Sequence, residues 1–127
     1  MLTLIRELFR PRSNLSPAFE ALNEHIFRSG IPTVCEMRKN MMMGDVAEVA
    51  AFRLGFDPNR LHVVTVMRCE DGGGAIRLEA QAKTLPEVSG VNRNGTYVMT
   101  CSFTPPDPIV EQRFTKAFLA FRPPSGR

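Results

Sequence analysis

The chain has 127 residues, of which 43% are hydrophobic, and it carries a formal net charge of +3. A chain of this length predicts one domain that buries enough apolar surface to fold without disulfides or a bound metal. The basic residues are scattered along the sequence, so they do not form the continuous basic stripe that is typical of nucleic-acid-binding proteins.

Two helices are predicted near the start of the chain. Residues 2–9 place apolar side chains on one side and polar side chains on the other, which predicts a short amphipathic helix. Ser16 and Pro17 have the residue types of an N-cap and a first helical position. The apolar residues that follow repeat at helical intervals, so a second helix is predicted up to about residue 28.

Two further segments follow in the middle of the chain. Residues 31–37 predict either one short strand or an extended connection. Asp45, followed three residues later by Glu48, has the form of a capping box, and apolar residues then repeat at helical intervals up to Gly55. A helix over 45–54 is therefore predicted.

After the turn sequence DPN, the hydrophobic period changes to two, which is typical of strands. In residues 61–69, β-branched and apolar residues occupy both sets of alternating positions, as in a central strand that is covered on both faces. The sequence EDGGG at 70–74 predicts a flexible hairpin loop, and residues 75–83 alternate apolar and polar side chains as a second strand would. Residues 96–103 alternate again after an Asn-Gly turn.

The last predicted element is a helix that Asp107 caps and that begins at Pro108. Its apolar stripe needs a sheet to lie on, and the tail over 122–127 is expected to fray. The sequence therefore predicts one α+β domain over 1–127. Its antiparallel meander sheet has three, or with 31–37 four, strands, with helices packed on one face in the order α-α-(β)-α-β-β-β-α.

Three methionines stand together before the predicted helix over 45–54. Successive residues diverge by about 100° around a helix axis, so three adjacent side chains cannot all point into one core. A flexible thioether suits irregular protein partners, whereas core packing at a helix entry is the other interpretation. Together with the apolar side of the first helix, these methionines form the predicted protein interface: Met41, Met42, Met43, Leu2, Ile5 and Phe9.

Several basic side chains are candidate contacts for an anionic partner, because guanidinium groups bind phosphate and carboxylate groups in a bidentate manner. These candidates are Arg6, Arg10, Arg12, Arg77 and Lys83. The last two are expected on the polar face of the predicted strand over 75–83. No set of residues has the spacing of a metal site, and no cofactor is predicted.

The three cysteines are an odd number, and no two of them have the spacing of a redox motif. A reducing, cytoplasmic location is therefore predicted, which includes the interior of an assembly such as a virion. The N-terminal sequence interrupts its apolar residues with charged ones and does not predict a signal peptide, whereas its arginines leave a mitochondrial transit peptide as an alternative. No apolar run approaches the roughly eighteen residues of a membrane span.

A catalytic set is not evident in the sequence. A cysteine hydrolase needs a thiolate beside an imidazole, and Cys35, His25 and His62 lie on separate predicted elements. Residues 44–68 resemble the helix-then-strand region of transglutaminase-like cysteine proteases, with Val46 at the place of the catalytic cysteine. The resemblance implies at most an inactive relative and assigns no catalytic residue.

The missing catalytic set, the methionine run and the amphipathic first helix favour a non-enzymatic protein-interaction module. Such a module would be a small subunit or adaptor of a larger assembly, for example a phage particle or a secretion machine. Its partner would be another protein or a second copy of the chain. Two alternatives are a nucleic-acid-binding accessory protein that uses the dispersed arginines and a small cysteine hydrolase with Cys35 as nucleophile.

Overall fold

The structure is a computed structural model that describes residues 15–38, 44–55 and 57–123. Within these residues the chain forms three helices and five strands. In chain order they are α1 (Pro17–Arg28), β1 (Thr33–Met37), β2 (Val46–Leu54), β3 (Leu61–Cys69), α2 (Gly72–Ala82), β4 (Gly90–Asn94), β5 (Tyr97–Thr104) and α3 (Pro108–Ala120). None of the helices in this part of the chain is long and apolar enough to cross a membrane.

The five strands form one antiparallel sheet in the order β1-β2-β3-β5-β4. The predicted α+β class and antiparallel sheet are therefore confirmed. The predicted strands at 31–37, 61–69 and 96–103 are present as β1, β3 and β5, and β2 and β4, which were not predicted as strands, bring the total to five. Strands β1 to β3 form a meander. The chain then passes across the sheet through α2 before the β4–β5 hairpin, whose second strand pairs with β3.

Helices α1 and α3 cover one face of the sheet, here called the first face, and enclose the larger core. They run in opposite directions, since His25 near the end of α1 contacts Ala117, whereas Gly30 just beyond α1 contacts Arg113, which lies earlier in α3. Six buried phenylalanines dominate this core, and Phe52 on β2 meets Phe114 on α3 edge to face at 5.6 Å between ring centroids. Rings of this size contribute most of the apolar area that stabilises such a core.

Helix α2 packs on the opposite, second face of the sheet. Its buried residue Ala75 lies in a smaller core with Val46 and Val49 of β2, Cys69 of β3 and Val98 of β5. The predicted helices were expected to pack on one face of the sheet. Helices α1 and α3 do so, whereas α2, whose segment was predicted as a loop and a strand, packs on the other face. The sheet is thus covered on both faces at the end where β3 leads into α2.

The segment predicted as a helix over 45–54 forms strand β2 instead. An irregularity in the pairing of this strand explains why its apolar residues have helical spacing. A register shift between Val46 and Glu48 places Val46 and Val49 on the same face, although they are three residues apart. This spacing has the period of a helix. Glu48 forms no capping box; its carboxylate accepts a hydrogen bond from Arg68 on β3 at 2.6 Å.

The segment over 75–83 belongs to helix α2 and is not the predicted strand. Its most buried positions include Ala75 and Ala82, with Leu78 half-buried between them, which is helical spacing, and Ile76 is 54% exposed. The sequence 70–74 is not a hairpin loop, because Asp71 accepts a hydrogen bond from the Gly74 N–H at 2.7 Å and caps the helix. The prevalence of Ala, Leu, Glu, Gln and Arg in this stretch favours a helix, and this composition predicts the observed structure better than the alternation of apolar and polar residues does.

The β4–β5 hairpin also holds the end of α3. The Asn94 side-chain amide donates hydrogen bonds to the carbonyl oxygens of Phe118 and Phe121, both at 2.9 Å. The last carbonyls of a helix have no partner within the helix, so one side chain satisfies two of them. Of the predicted tail, Arg122 lies against this helix end, where it donates to Leu119 O at 3.0 Å. The predicted helix over 2–9 and residues 124–127 lie outside the described residues.

Gly74 is a position where α2 cannot accept a side chain without a shift. A Cβ at Gly74 would lie 2.6 Å from the Asp45 Cβ, whereas a Cβ at Gly73 would have no neighbour closer than 3.5 Å. We expect Gly74→Ala to lower the free energy of unfolding by about 1–3 kcal/mol through overpacking. The matched control Gly73→Ala should raise it by about 0.4–1 kcal/mol. Urea unfolding measures both, and equal effects would contradict this packing.

The change Asn94→Asp tests the two hydrogen bonds from the Asn94 amide to the end of α3, here called the Asn94 tether. The carboxylate would face two carbonyl oxygens without a proton to donate, so we expect the free energy of unfolding to fall by about 1–3 kcal/mol. Asn92→Asp on the same strand is the control, because the Asn92 side chain has no hydrogen bond among the described residues. Thermal unfolding followed by circular dichroism compares the two, and an unchanged Asn94→Asp protein would rule out the tether.

Candidate functional site

Most of the site residues predicted from the sequence lie outside the described residues. These are the interface candidates Met41, Met42, Met43, Leu2, Ile5 and Phe9 and the anion-contact candidates Arg6, Arg10 and Arg12. Their roles stay predictions.

Arg77 and Lys83 are described, and both are exposed on α2 or at its end. Each already has a carboxylate partner, since Arg77 pairs with Asp45 at 3.0 Å and Lys83 pairs with Glu79 at 3.6 Å. The hydrogen bond from Arg77 lowers the pKa of Asp45. The two basic side chains lie on a helix and not on the polar sheet face that the sequence predicted.

The cysteines and His25 do not form a nucleophilic site. Burial, with a smaller contribution from Glu36, raises the pKa of Cys35 to about 12, and burial raises the pKa of Cys69 as well. The His25 Nε2 lies 2.7 Å from the carbonyl oxygen of Ala117, so this ring nitrogen donates to the backbone. Among the described residues, no group of three His, Cys, Asp or Glu side chains is arranged to hold a metal ion.

A pocket of about 300 Å³ opens at the end of the larger core, between the α1–β1 connection, the facing ends of β2 and β3, and the start of α3. Its apolar lining includes Ile31, Leu54 and Val110. Sequence reasoning missed this pocket, because its wall joins residues from four separate segments and no local pattern connects them.

The pocket also has charged and polar residues. They are Asp57, Arg60, His62, Asp107 and Arg113. The His62 Nε2 donates to the carbonyl oxygen of Pro105 at 2.9 Å, and its ring stacks on Phe103 with 4.5 Å between centroids. These two contacts hold a buried imidazole in the wall of the pocket. In the sequence, His62 is an isolated histidine on a predicted strand, separate from the elements of Cys35 and His25.

On the second face of the sheet, α2 covers only one half. The strand registers place Val34, Arg53, Val63 and Ser102 in one row across four strands, at the end that none of the described helices covers, and Leu61 pairs with Thr104 beside them. We call these six residues the open half-sheet. Leu61 is 56% exposed and Val34 is 37% exposed, so the surface carries accessible apolar side chains.

Strand β1 forms one edge of the sheet, next to the open half-sheet. The Arg38 N–H donates to Val49 O at 2.8 Å, which makes these residues a hydrogen-bonded pair of the antiparallel ladder. Because hydrogen-bonded and non-hydrogen-bonded pairs alternate, the backbone groups of Cys35 and Met37 point away from β2. No strand of the described residues pairs with this outer side of β1.

No protein-family model, curated protein or solved structure matches this chain. The resemblance of residues 44–68 to transglutaminase-like cysteine proteases also loses its structural basis, because the part expected to be a helix is strand β2. Function is therefore inferred from the geometry of the chain itself.

The raised pKa of Cys35 leads to a test of the hydrolase hypothesis. With a pKa of about 12, only about one Cys35 in ten thousand is a thiolate at pH 8, whereas an ordinary cysteine is about one quarter ionised. We expect alkylation of Cys35 by iodoacetamide in the folded protein to be at least about a hundredfold slower than in urea. Mass spectrometry of the labelled peptides gives the rates. Labelling of Cys35 far faster than of Cys69 and Cys101 would instead support a nucleophilic role.

Proposed function

We propose that the chain is a non-enzymatic protein-interaction module that binds an extended segment of a partner protein. The segment would add a strand to the outer edge of β1 and lay its side chains on the open half-sheet. The observation that carries this proposal is a partly apolar sheet surface, exposed at Leu61 and Val34, that continues to a strand edge with no partner strand among the described residues. A module of this kind suits the role of a small subunit or adaptor in a larger assembly.

The size of the uncovered surface follows from the lengths of two elements. Helix α2 has 11 residues, and at about 1.5 Å per residue it is about 16 Å long. Strand β3 has 9 residues, and at about 3.3 Å per residue it extends for about 30 Å. One helix of this length therefore covers only about half of the second face. Accessible apolar groups such as Leu61 at the other end favour a binding surface.

The edge of β1 supplies the second part of the argument. The outward N–H and C=O groups of Cys35 and Met37 can pair with the backbone of another chain, which is the basis of recognition by strand addition. Protected edges are commonly blocked by proline or a bulge. The five residues of β1 contain neither, and their pairing with β2 is regular.

The charges around this surface indicate the chemistry of the partner. Arg53 is exposed on the open half-sheet and forms no ion pair with any described residue. The chain as a whole has a net charge of +3, which favours association with an acidic surface. The proposed partner segment therefore alternates apolar side chains with polar ones and carries at least one carboxylate that reaches Arg53.

The two alternative functions receive less support from the described residues. Arg77 and Lys83 are paired with carboxylates, so these two predicted anion contacts are not free for phosphate groups. The Cys35 thiol contacts the larger core, and its raised pKa disfavours the thiolate that a cysteine hydrolase uses.

The proposal is tested with Leu61→Asp and with Ile109→Asp as its matched control, because Ile109 is 72% exposed on α3, away from the open half-sheet. Tagged proteins are used to capture partners from cells that express the gene, and the captured protein is then purified. We expect Leu61→Asp to lower the affinity for it at least about tenfold, as the loss of a central apolar contact does. Ile109→Asp should bind like the wild type.

Hydrogen exchange of the complex gives the decisive readout. Strand addition predicts that the outward amides of Cys35 and Met37 become protected when the partner binds. Binding that leaves these amides unprotected, or that Leu61→Asp does not weaken, would contradict the proposal. Light scattering after size exclusion is the companion measurement. A wild-type dimer that Leu61→Asp converts to a folded monomer would show that a second copy, and not another protein, occupies this surface.

A further inference from the structure

We propose that the pocket at the end of the larger core binds a small aliphatic carboxylate, with the acid group on Arg113 and the hydrocarbon part against Ile31, Leu54 and Val110. The pocket opens beside the α1 and α3 side of the sheet, whereas the open half-sheet lies on the opposite face. The two sites are therefore separate, and the inference does not depend on the proposed protein partner.

The size and lining of the pocket set the class of ligand. Its volume of about 300 Å³ is at the lower limit for small-molecule sites. It has room for a compact molecule of about four to eight carbon atoms but not for a nucleotide cofactor. The apolar side chains Ile31, Leu54 and Val110 belong to the larger core or pack against it, so they form a firm wall for a hydrocarbon group.

Arg113 supplies the charge that a carboxylate would need. Its exposed guanidinium has one hydrogen bond, a long one of 3.4 Å to the carbonyl oxygen of Gly30, and it forms no ion pair with any described residue. A guanidinium that faces a pocket without an acidic partner can bind a carboxylate through two parallel hydrogen bonds. The ligand would thus provide the partner that the protein does not.

The two carboxylates of the pocket are already engaged, and they limit the charge of the ligand. Asp107 accepts a hydrogen bond from the Val110 N–H at the start of α3, and Asp57 accepts one from the Asn59 N–H and pairs with Arg60 at 3.7 Å. Because both acids remain at the pocket, a phosphate dianion would be repelled. Asp57 is paired with Arg60, and Asp107 has no ion pair among the described residues, so Arg113 beside the apolar wall fits a group with a single negative charge better than a dianion.

The His62 side chain has a fixed orientation in the wall of the pocket before any ligand binds. Its ring is fixed by the hydrogen bond to Pro105 O and by stacking on Phe103, so the pocket does not need the ring to reorient. The Nε2 atom must carry a proton to donate to a carbonyl, which leaves Nδ1 of the neutral ring as an acceptor. A preformed pocket of this kind loses little conformational entropy when it binds a small ligand.

The test is a titration of the full-length, ¹⁵N-labelled protein with isocaproate, followed by amide chemical shifts. We expect saturable shifts at Leu54, Gly55 and Val110 with a dissociation constant of a few millimolar or lower, as the size of the ligand allows. The uncharged amide of the same shape, isocaproamide, should bind at least about tenfold more weakly, because it cannot form the ion pair with Arg113. Acetate should also bind more weakly, since it lacks the hydrocarbon group.

Two variants test whether Arg113 supplies the positive charge that binds the carboxylate of the ligand. Arg113→Gln should weaken isocaproate binding about fivefold or more and leave isocaproamide binding unchanged. Arg28→Gln is the control, because Arg28 is an exposed arginine on α1 that pairs with Glu24 outside the pocket. Equal binding of the acid and the amide, full binding by Arg113→Gln, or no pocket shifts at about 20 mM isocaproate would each overturn the inference.

Discussion

Strand β3 is hydrogen-bonded along both of its edges, and this double pairing determines where every other element can lie. With β2 on one edge and β5 on the other, the chain that leaves β3 has no free neighbouring position in the sheet. It crosses the second face as α2 and returns as the β4–β5 hairpin on the far side. The start of this helix lies close to Asp45, since a Cβ at Gly74 would be 2.6 Å from the Asp45 Cβ, and Arg77 of the helix pairs with the same residue.

The open half-sheet and the pocket lie at the same end of the sheet, opposite to the start of α2. Coverage by the described helices is incomplete at this end for two reasons. Helix α2 is shorter than the strands beneath it, which leaves the open half-sheet on the second face. On the first face, α1 ends and α3 begins near this edge, and the pocket lies between the segments that connect them to the sheet. Both sites thus follow from where the covering helices stop.

The sequence predicted the elements whose patterns are local and failed where a local pattern was ambiguous. Helix α1 and strand β3 have the predicted bounds, because a cap sequence and a β-branched run need no distant partner. For β2, the register shift after Val46 gave a strand the spacing of a helix. For α2, the alternation from Ile76 to Ala82 resembled a strand, although the residues themselves favour helix. The pocket could not have been predicted, since Leu54, His62 and Val110 are close only after folding.

By itself, then, the sequence determined the class of the fold, the two helices that begin with a capping residue followed by proline, and the central strand, because hydrophobic period and capping act over a few residues. Only the tertiary structure decided that 46–54 is a strand, that 72–82 is a helix on the second face, and which surfaces stay uncovered. The physical reason is that pairing register and burial on a given face depend on partners far along the chain. The two proposed sites depend on the exposure of Leu61 and on the charge of Arg113, which has no ion-pair partner among the described residues. Both are properties of the assembled surface.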